Sequence, residues 1–314
     1  MKILAVVDDK PSAVAALKTA AAYAERLGAP LGVVTVRHGT HATESAPPVG
    51  VDIPAGERES LSPGIRVLLA AADSLARSGL LVPLTRVRLR DVPHGRLFAG
   101  QRANTGERVI FGEHFGNLID ELNREIDESG YNLVVIAAPR RGPLGRFVPM
   151  NVARRLALGL HCSFLVVRRG GPDGRFLVCA DGSPSARRIF PFLKKLLPAV
   201  RGATDLICVR RPQPDPEEIA QAEHCLALAH NWLSRCGRKT KVLQPTGAKR
   251  FKLILEEAGK DAVIVMGESH MHDVRRRTFG SLPMKVLART DSSFLLVKQP
   301  TEPDPEMFED TFAC

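Results

Sequence analysis

The amino-acid sequence predicts an α/β protein made of two tandem doubly wound parallel-sheet domains, and three observations predict it. Apolar runs of strand length alternate with helical patterns along the chain. The strand candidates are continuous in apolar residues rather than alternating, as strands covered on both faces must be. The arrangement then occurs twice, in segments that match each other.

In chain order, the first strand is expected near 2–8. Its segment "ILAVVDDKPSA" (3–13) matches "FLVCADGSPSA" (176–186). Each is a short apolar strand ending in an aspartate, Asp8 or Asp181, then a turn and a Pro-Ser pair that opens a helix. The first half continues with a helix near 12–27, a strand near 31–37, helices near 63–79 and 116–129, and a strand near 132–138. The second half gives strands near 175–180, 204–210, 239–243 and 262–266, with helices near 184–198, 215–235 and 248–258. "NLVVIA" (132–137) matches "AVIVMG" (262–267), and "CSFLVV" (162–167) matches "SSFLLV" (292–297). Strand–helix alternation of this kind implies right-handed crossovers. "RRGGPDGR" (168–175) is the natural linker. The expected domains are therefore 1–168 and 175–298, joined by 169–174 and followed by an acidic tail, 299–314.

Asp8 and Asp181 lie 173 positions apart and the two later matches 130 apart, so the first half holds 43 more residues. Two stretches look inserted. Residues 38–60, rich in Pro, Gly, Ser and Ala, read as a loop. Residues 84–113 suggest one or two short strands or a hairpin, with Arg86, Arg88 and Arg90 on one strand face, between Val87 and Leu89. Each half also ends in an apolar strand with no helix after it. Such an edge invites pairing, and two in one chain can pair with each other as an internal pseudo-dimer.

Composition narrows the function. The chain has 314 residues and is 44% hydrophobic and 25% charged. Its first apolar run is too short for a signal peptide, and no stretch approaches the roughly 18 apolar residues of a membrane helix. The six cysteines form no CxxC pair, which fits free thiols in a reducing cytoplasm better than disulfides or zinc. The net charge is +10 although the last fourteen residues hold five acids and no base. That balance favours anionic partners without choosing among them. The arginine strip could lie on nucleic acid, but no stacking aromatics interleave with it, which argues against that partner.

Ligands of doubly wound sheets bind at the carboxyl ends of strands. Asp181 stands there, suited to a ribose hydroxyl or, through water, a metal on a phosphate. Gly267 ends the fourth strand of its half, where backbone must approach a ligand closely. Gly280 and Ser281 precede the helical run "LPMKVLAR", with Ser281 at the N-cap position and Pro283 in the first turn. A helix N-terminus is a ready anion site. Taken singly, Gly267 serves equally as a turn and Ser281 as a plain cap.

Together these residues resemble the universal stress protein family. Its nucleotide-binding members carry G-x2-G-x9-G-[ST] between the fourth strand and the last helix, after an Asp at the end of the first strand. The resemblance spans nearly the whole chain as two tandem domains. The second half keeps the spacing as Gly267-x2-His270-x9-Gly280-Ser281, with Asp181 upstream. The resemblance implies a Rossmann-like fold of the adenine nucleotide alpha hydrolase type. It also implies ATP or AMP, with Mg, bound by Asp181, Val209, Gly267, His270, Gly280 and Ser281, the Val209 backbone meeting the adenine. Dimers through the last strand and stress-related regulation, rather than defined catalysis, belong to the same implication.

His270 departs from the pattern, standing where the family has its second glycine. If the position needs a positive φ, a side chain costs about 1 kcal/mol there and crowds the triphosphate. Against this, His270, His272 or Arg275-Arg276-Arg277 can donate to phosphate oxygens. The first half departs further: Ala137, Arg140, Met150 and Asn151 occupy the four motif positions, and only Asp8 remains. Its basic cluster, Arg140, Arg141, Arg146, Arg154 and Arg155, would suit a different anion.

No Walker, GxSxG or GxGxxG pattern occurs where it would carry chemistry, and the pairs His38/His41 and His270/His272 lack further metal ligands. Phe308 and Phe312 either dock on a partner or belong to a disordered tail. The expectation is a cytoplasmic regulator whose second domain senses ATP or AMP, with at most slow hydrolysis. Its rivals are a scaffold that binds an unidentified protein partner but no nucleotide, and a basic nucleic-acid-associated protein.

Overall fold

The computed structural model describes residues 1–39, 52–54, 61–138, 150–169, 171–268, 281–298 and Phe312, with the backbone alone at 52, 53, 150 and 151. The chain divides into two compact units, Met1–Ala138 and Pro139–Cys314.

The first unit is built on parallel strands. These are β1 (Ile3–Val6), β2 (Leu31–Arg37), β7 (Arg108–Phe115) and β8 (Leu133–Ala137). β1 pairs with β2 and β8, and β2 with β7. β6 (Gly95–Gln101) and β5 (Arg90–Val92) extend the sheet antiparallel beyond β7. Helices α1 (Ala13–Leu27), α2 (Pro63–Arg77) and α3 (Leu118–Ser129) supply the layers. Each ends where local chemistry ends it. Ser62 caps α2 by accepting from the Ile65 amide, Asn117 caps α3, and α1 stops at Gly28, in the left-handed region at φ 56°.

Residues 84–113 are more than an inserted hairpin. Arg86, Arg88 and Arg90 are exposed and Val87 and Leu89 buried, as the alternation requires. The run nevertheless breaks at Leu89 into two strands. β4 (Arg86–Arg88) pairs with β3 (Asp52–Pro54), whereas β5 pairs with β6. The segment also starts β7, a core strand. Glu113 on β7 is fully buried and accepts a 2.6 Å hydrogen bond from the Ser62 hydroxyl, tying α2 to the sheet.

The second unit holds α4 (Met150–Gly159), β9 (Ser163–Val167), β10 (Phe176–Cys179), α5 (Pro184–Arg187), α6 (Ile189–Leu196), β11 (Thr204–Ile207) and α7 (Pro216–Arg235). After them come β12 (Val242–Leu243), α8 (Arg250–Ala258), β13 (Val263–Gly267), α9 (Leu282–Arg289) and β14 (Ser293–Val297). Its sheet runs β12-β11-β10-β13-β14-β9, parallel throughout except at the last step. The single helix expected over 184–198 is broken at Arg188. Pro191 has no amide to give the Arg187 carbonyl and its ring crowds that turn.

The strands that close the two sequence repeats, β9 and β14, pair antiparallel through Phe164↔Leu296, Leu165↔Leu295 and Val166↔Phe294, all buried. Lys298 seals the end of the ladder: its amide donates to the Ser163 hydroxyl at 2.9 Å, which donates back to the Lys298 carbonyl at 3.0 Å. Phe312, one of the two tail phenylalanines read either as docking or as part of a disordered tail, packs within the second unit. It is 3% exposed, with its ring 5.2 Å from Phe190 and 5.8 Å from Trp232, and its carbonyl accepts from Arg235.

Candidate functional site

The carboxyl ends of β10, β11 and β13 meet in the second unit. β10 runs through Ala180 to Asp181, whose Oδ1 accepts from the Ser183 amide at 3.2 Å and from its hydroxyl at 2.6 Å. Ser183 in turn caps α5, accepting from the Ala186 amide. The turn that aims the Asp181 carboxylate therefore also starts the next helix. Gly182 makes the turn at φ +75°, and a Cβ there would lie 2.5 Å from the Gln221 carbonyl oxygen.

β11 continues through Cys208 to Val209, which is 9% exposed. Neither the amide nor the carbonyl of Val209 takes a backbone hydrogen bond among the described residues. β13 ends at Gly267, where a Cβ would stand 1.7 Å from the Ser185 carbonyl oxygen. Ser281 is the N-cap residue of α9 and Pro283 lies in its first turn, yet the serine side chain makes no capping hydrogen bond. Its hydroxyl is thus not used by the cap, and the first amides of α9 lack that partner.

Asp181, Val209, Gly267 and Ser281 all line one cavity of about 310 Å³. Ile207, Ile254, Met266 and Leu282 give it apolar walls, while Ser183, Ser185 and Arg250 add polar groups. A second cavity of about 350 Å³ shares Asp181, Ser183, Val209 and Arg250 with it. Each volume falls in the lower part of the range of about 300–1,000 Å³ usual for small-molecule sites. His270 and Gly280 lie outside the described residues, as do His272 and Arg275-Arg276-Arg277.

Three thiols surround Asp181. Burial, reinforced by the Asp181 charge, pushes the Cys179 thiol far up and Cys208 up to about 11; burial raises Cys225 to about 12. They stay protonated at neutral pH and act as packing groups, not nucleophiles. Among the described residues no group of three His, Cys, Asp or Glu side chains could hold a metal ion.

The first unit differs. The Asp8 carboxylate takes the Lys10 amide at 3.1 Å and pairs with its ammonium at 3.1 Å. The cavity beside it, about 520 Å³, runs between α1 and α2 and does not touch Ala137. Arg140, Arg141 and Arg146 lie outside the described residues, as do the side chains of Met150 and Asn151. Sequence reasoning missed Arg250, which opens α8 and touches both cavities of the second unit. Its only sequence signal was its place after the short strand β12.

A family model described as the universal stress protein family matches residues 1–168, more than half of the chain. The chain belongs to the universal stress protein family. No curated protein matches it. Among solved structures, it is similar to a universal stress protein from Archaeoglobus fulgidus, with 16% identity, 95% of this chain and 96% of that one covered, and a TM-score of 0.59. It is also similar to a functionally unknown protein from Pseudomonas aeruginosa, with 15% identity, 99% and 94% covered, and a TM-score of 0.58. At such identities the likeness establishes the fold. A universal stress protein solved in complex with cAMP covers 40% of this chain at 20% identity, with a TM-score of 0.30, too slight to bear on the site. In this universal stress protein the family match falls on the repeat whose motif has departed, while the cavity lies in the other. Among the described residues no helix is long and apolar enough to cross a membrane.

Proposed function

We propose that the second repeat, 175–298, binds an adenine nucleotide, ATP or AMP, and acts as a cytoplasmic sensor. The observation that carries this reading is the cavity that joins Asp181, Val209, Gly267 and Ser281. In it, the purine lies against Ile207 and Val209, with the free Val209 backbone reading its edge. Asp181 holds the ribose. The phosphates lie at Gly267 and Ser281, near the α9 N-terminus, and continue along 267–281, where His270 and Gly280 belong to the same site. Magnesium arrives on the nucleotide, since Asp181 is the one carboxylate among the described residues lining this cavity. Contact between the phosphates and the 267–281 segment alters the surface offered to a protein partner, which includes a second copy of the chain. The first repeat serves as the structural or partner-binding half.

Titration calorimetry with ATP, AMP and adenosine tests this on wild type and Asp181→Ala. A hydrogen bond to a charged group is worth about 1.5–3 kcal/mol, so the variant is expected to bind all three about tenfold or more weakly. Equal affinities in the two proteins would remove Asp181 from the site. No binding by wild type would leave the family fold as a scaffold without nucleotide.

A further inference from the structure

The ribbon that extends the first unit's sheet carries a site of its own. Cross-strand partners share a face of a sheet, as do alternate residues along a strand. The pairs Arg90↔Leu97, Ala99↔Ile110 and Gln101↔Arg108 therefore set two arginines and two large aliphatic side chains on one face of β5, β6 and β7. That face lines a cavity of about 810 Å³, to which β4 adds Arg86 and Arg88. All four arginines are exposed, no acidic residue is among the described residues that line the cavity, and none of the four makes an ion pair among the described side chains. The floor is apolar and open to water: Val82 is 44% exposed and Ile110 36%. Phe98, the aromatic residue among the described ones that line the cavity, is 3% exposed and stacks on Phe111 at 4.8 Å, so it offers no free face to a base.

Four like charges in one cavity repel each other, and open aliphatic surface is costly in water. A single kind of ligand relieves both. We propose that this cavity binds an anionic amphiphile, with a carboxylate or phosphate head on the arginines and a hydrocarbon body over Val82, Leu97 and Ile110. Guanidinium groups match such heads with paired N–H donors, and their own methylene stems extend the apolar floor. Single-stranded nucleic acid fits less well, because its binding sites pair cations with exposed aromatic faces. This cavity belongs to the first unit and the proposed nucleotide cavity to the second.

Calorimetric titration of the full chain with dodecyl phosphate below its critical micelle concentration tests the proposal, with inorganic phosphate and dodecanol as controls. One dodecyl phosphate is expected per chain, bound at least about tenfold more tightly than either control. Arg90→Gln/Arg108→Gln is expected to weaken it about tenfold or more, and Ile110→Ser to weaken it without changing the response to inorganic phosphate. These exposed positions leave the unfolding midpoint unchanged. Phosphatidylglycerol vesicles assign the source. Cosedimentation lost in the double variant places the head on a lipid surface, and absent cosedimentation places it on a free amphiphile; either result keeps the proposal. Dodecyl phosphate bound equally by wild type and the double variant overturns it, as does binding of single-stranded RNA without binding of dodecyl phosphate.

Discussion

Gly267 has a packing duty that precedes any ligand. The Ser185 carbonyl occupies the space of its missing Cβ, with 1.7 Å between them, so α5 closes on the end of β13 only over glycine. Gly267→Ala is expected to destabilise the protein by about 1–3 kcal/mol in denaturant unfolding, the usual cost of overpacking; an unchanged midpoint would mean that α5 moves aside freely. Glu125 on α3 makes a second prediction. Burial alone would raise its carboxyl, but hydrogen bonds from His114 and Ser129 and the His114 charge outweigh burial and hold it below the ordinary value. A depressed carboxylate contributes stability above the unfolded pKa of about 4.3 and loses it as pH falls through the folded value. Glu125→Gln should therefore be less stable than wild type at pH 7, with the gap closing below about pH 4. A gap that ignores pH would contradict that origin. At this scale the expectation that Asp181, Val209, Gly267 and Ser281 lie together is matched by one cavity that all four line; strand ends and motif spacing pointed to Asp181, Gly267 and Ser281, and the family resemblance to Val209. Arg250 was not legible, because a cation at the start of a helix belongs to no pattern.

The elements show why some of the fold reads from sequence and some does not. β9 and β14 announced themselves: each is apolar, terminal in its repeat and without a following helix, so each needed a partner strand. Leu165 and Leu295, paired across them and almost wholly buried, should each cost about 2–5 kcal/mol when changed to alanine. Because they touch one surface, their effects should depart from additivity by about 0.5–3 kcal/mol in a double-mutant cycle; strict additivity would separate the two strands. β7 stayed hidden inside an apparent insertion. Its segment "RVIFGEHF" carries Glu113 and His114 at buried positions, which interrupts the apolar run that marks a core strand. Only the fold brings the Ser62 hydroxyl to Glu113 at 2.6 Å and the Glu125 carboxylate to His114 at 3.4 Å. The break in the helix after 184 could have been read from Pro191, whose effect falls four residues upstream.

At the scale of the whole molecule, the chain is a universal stress protein whose two sequence repeats differ at the motif positions. The first has filled its motif positions with Ala137, Arg140, Met150 and Asn151 and gained the arginine-lined ribbon. The second keeps Asp181, Val209, Gly267 and Ser281 around one cavity. Phe312 packs in the same unit, against Phe190 and Trp232. A working nucleotide site in that half means that stability must depend on nucleotide. The deciding measurement is thermal unfolding of nucleotide-free protein with and without Mg-ATP, for wild type and Gly280→Asp. At about a hundred times its dissociation constant, ATP should add roughly 2.7 kcal/mol of stability to wild type and nothing to the variant. No shift in wild type at millimolar Mg-ATP would contradict nucleotide binding by this protein.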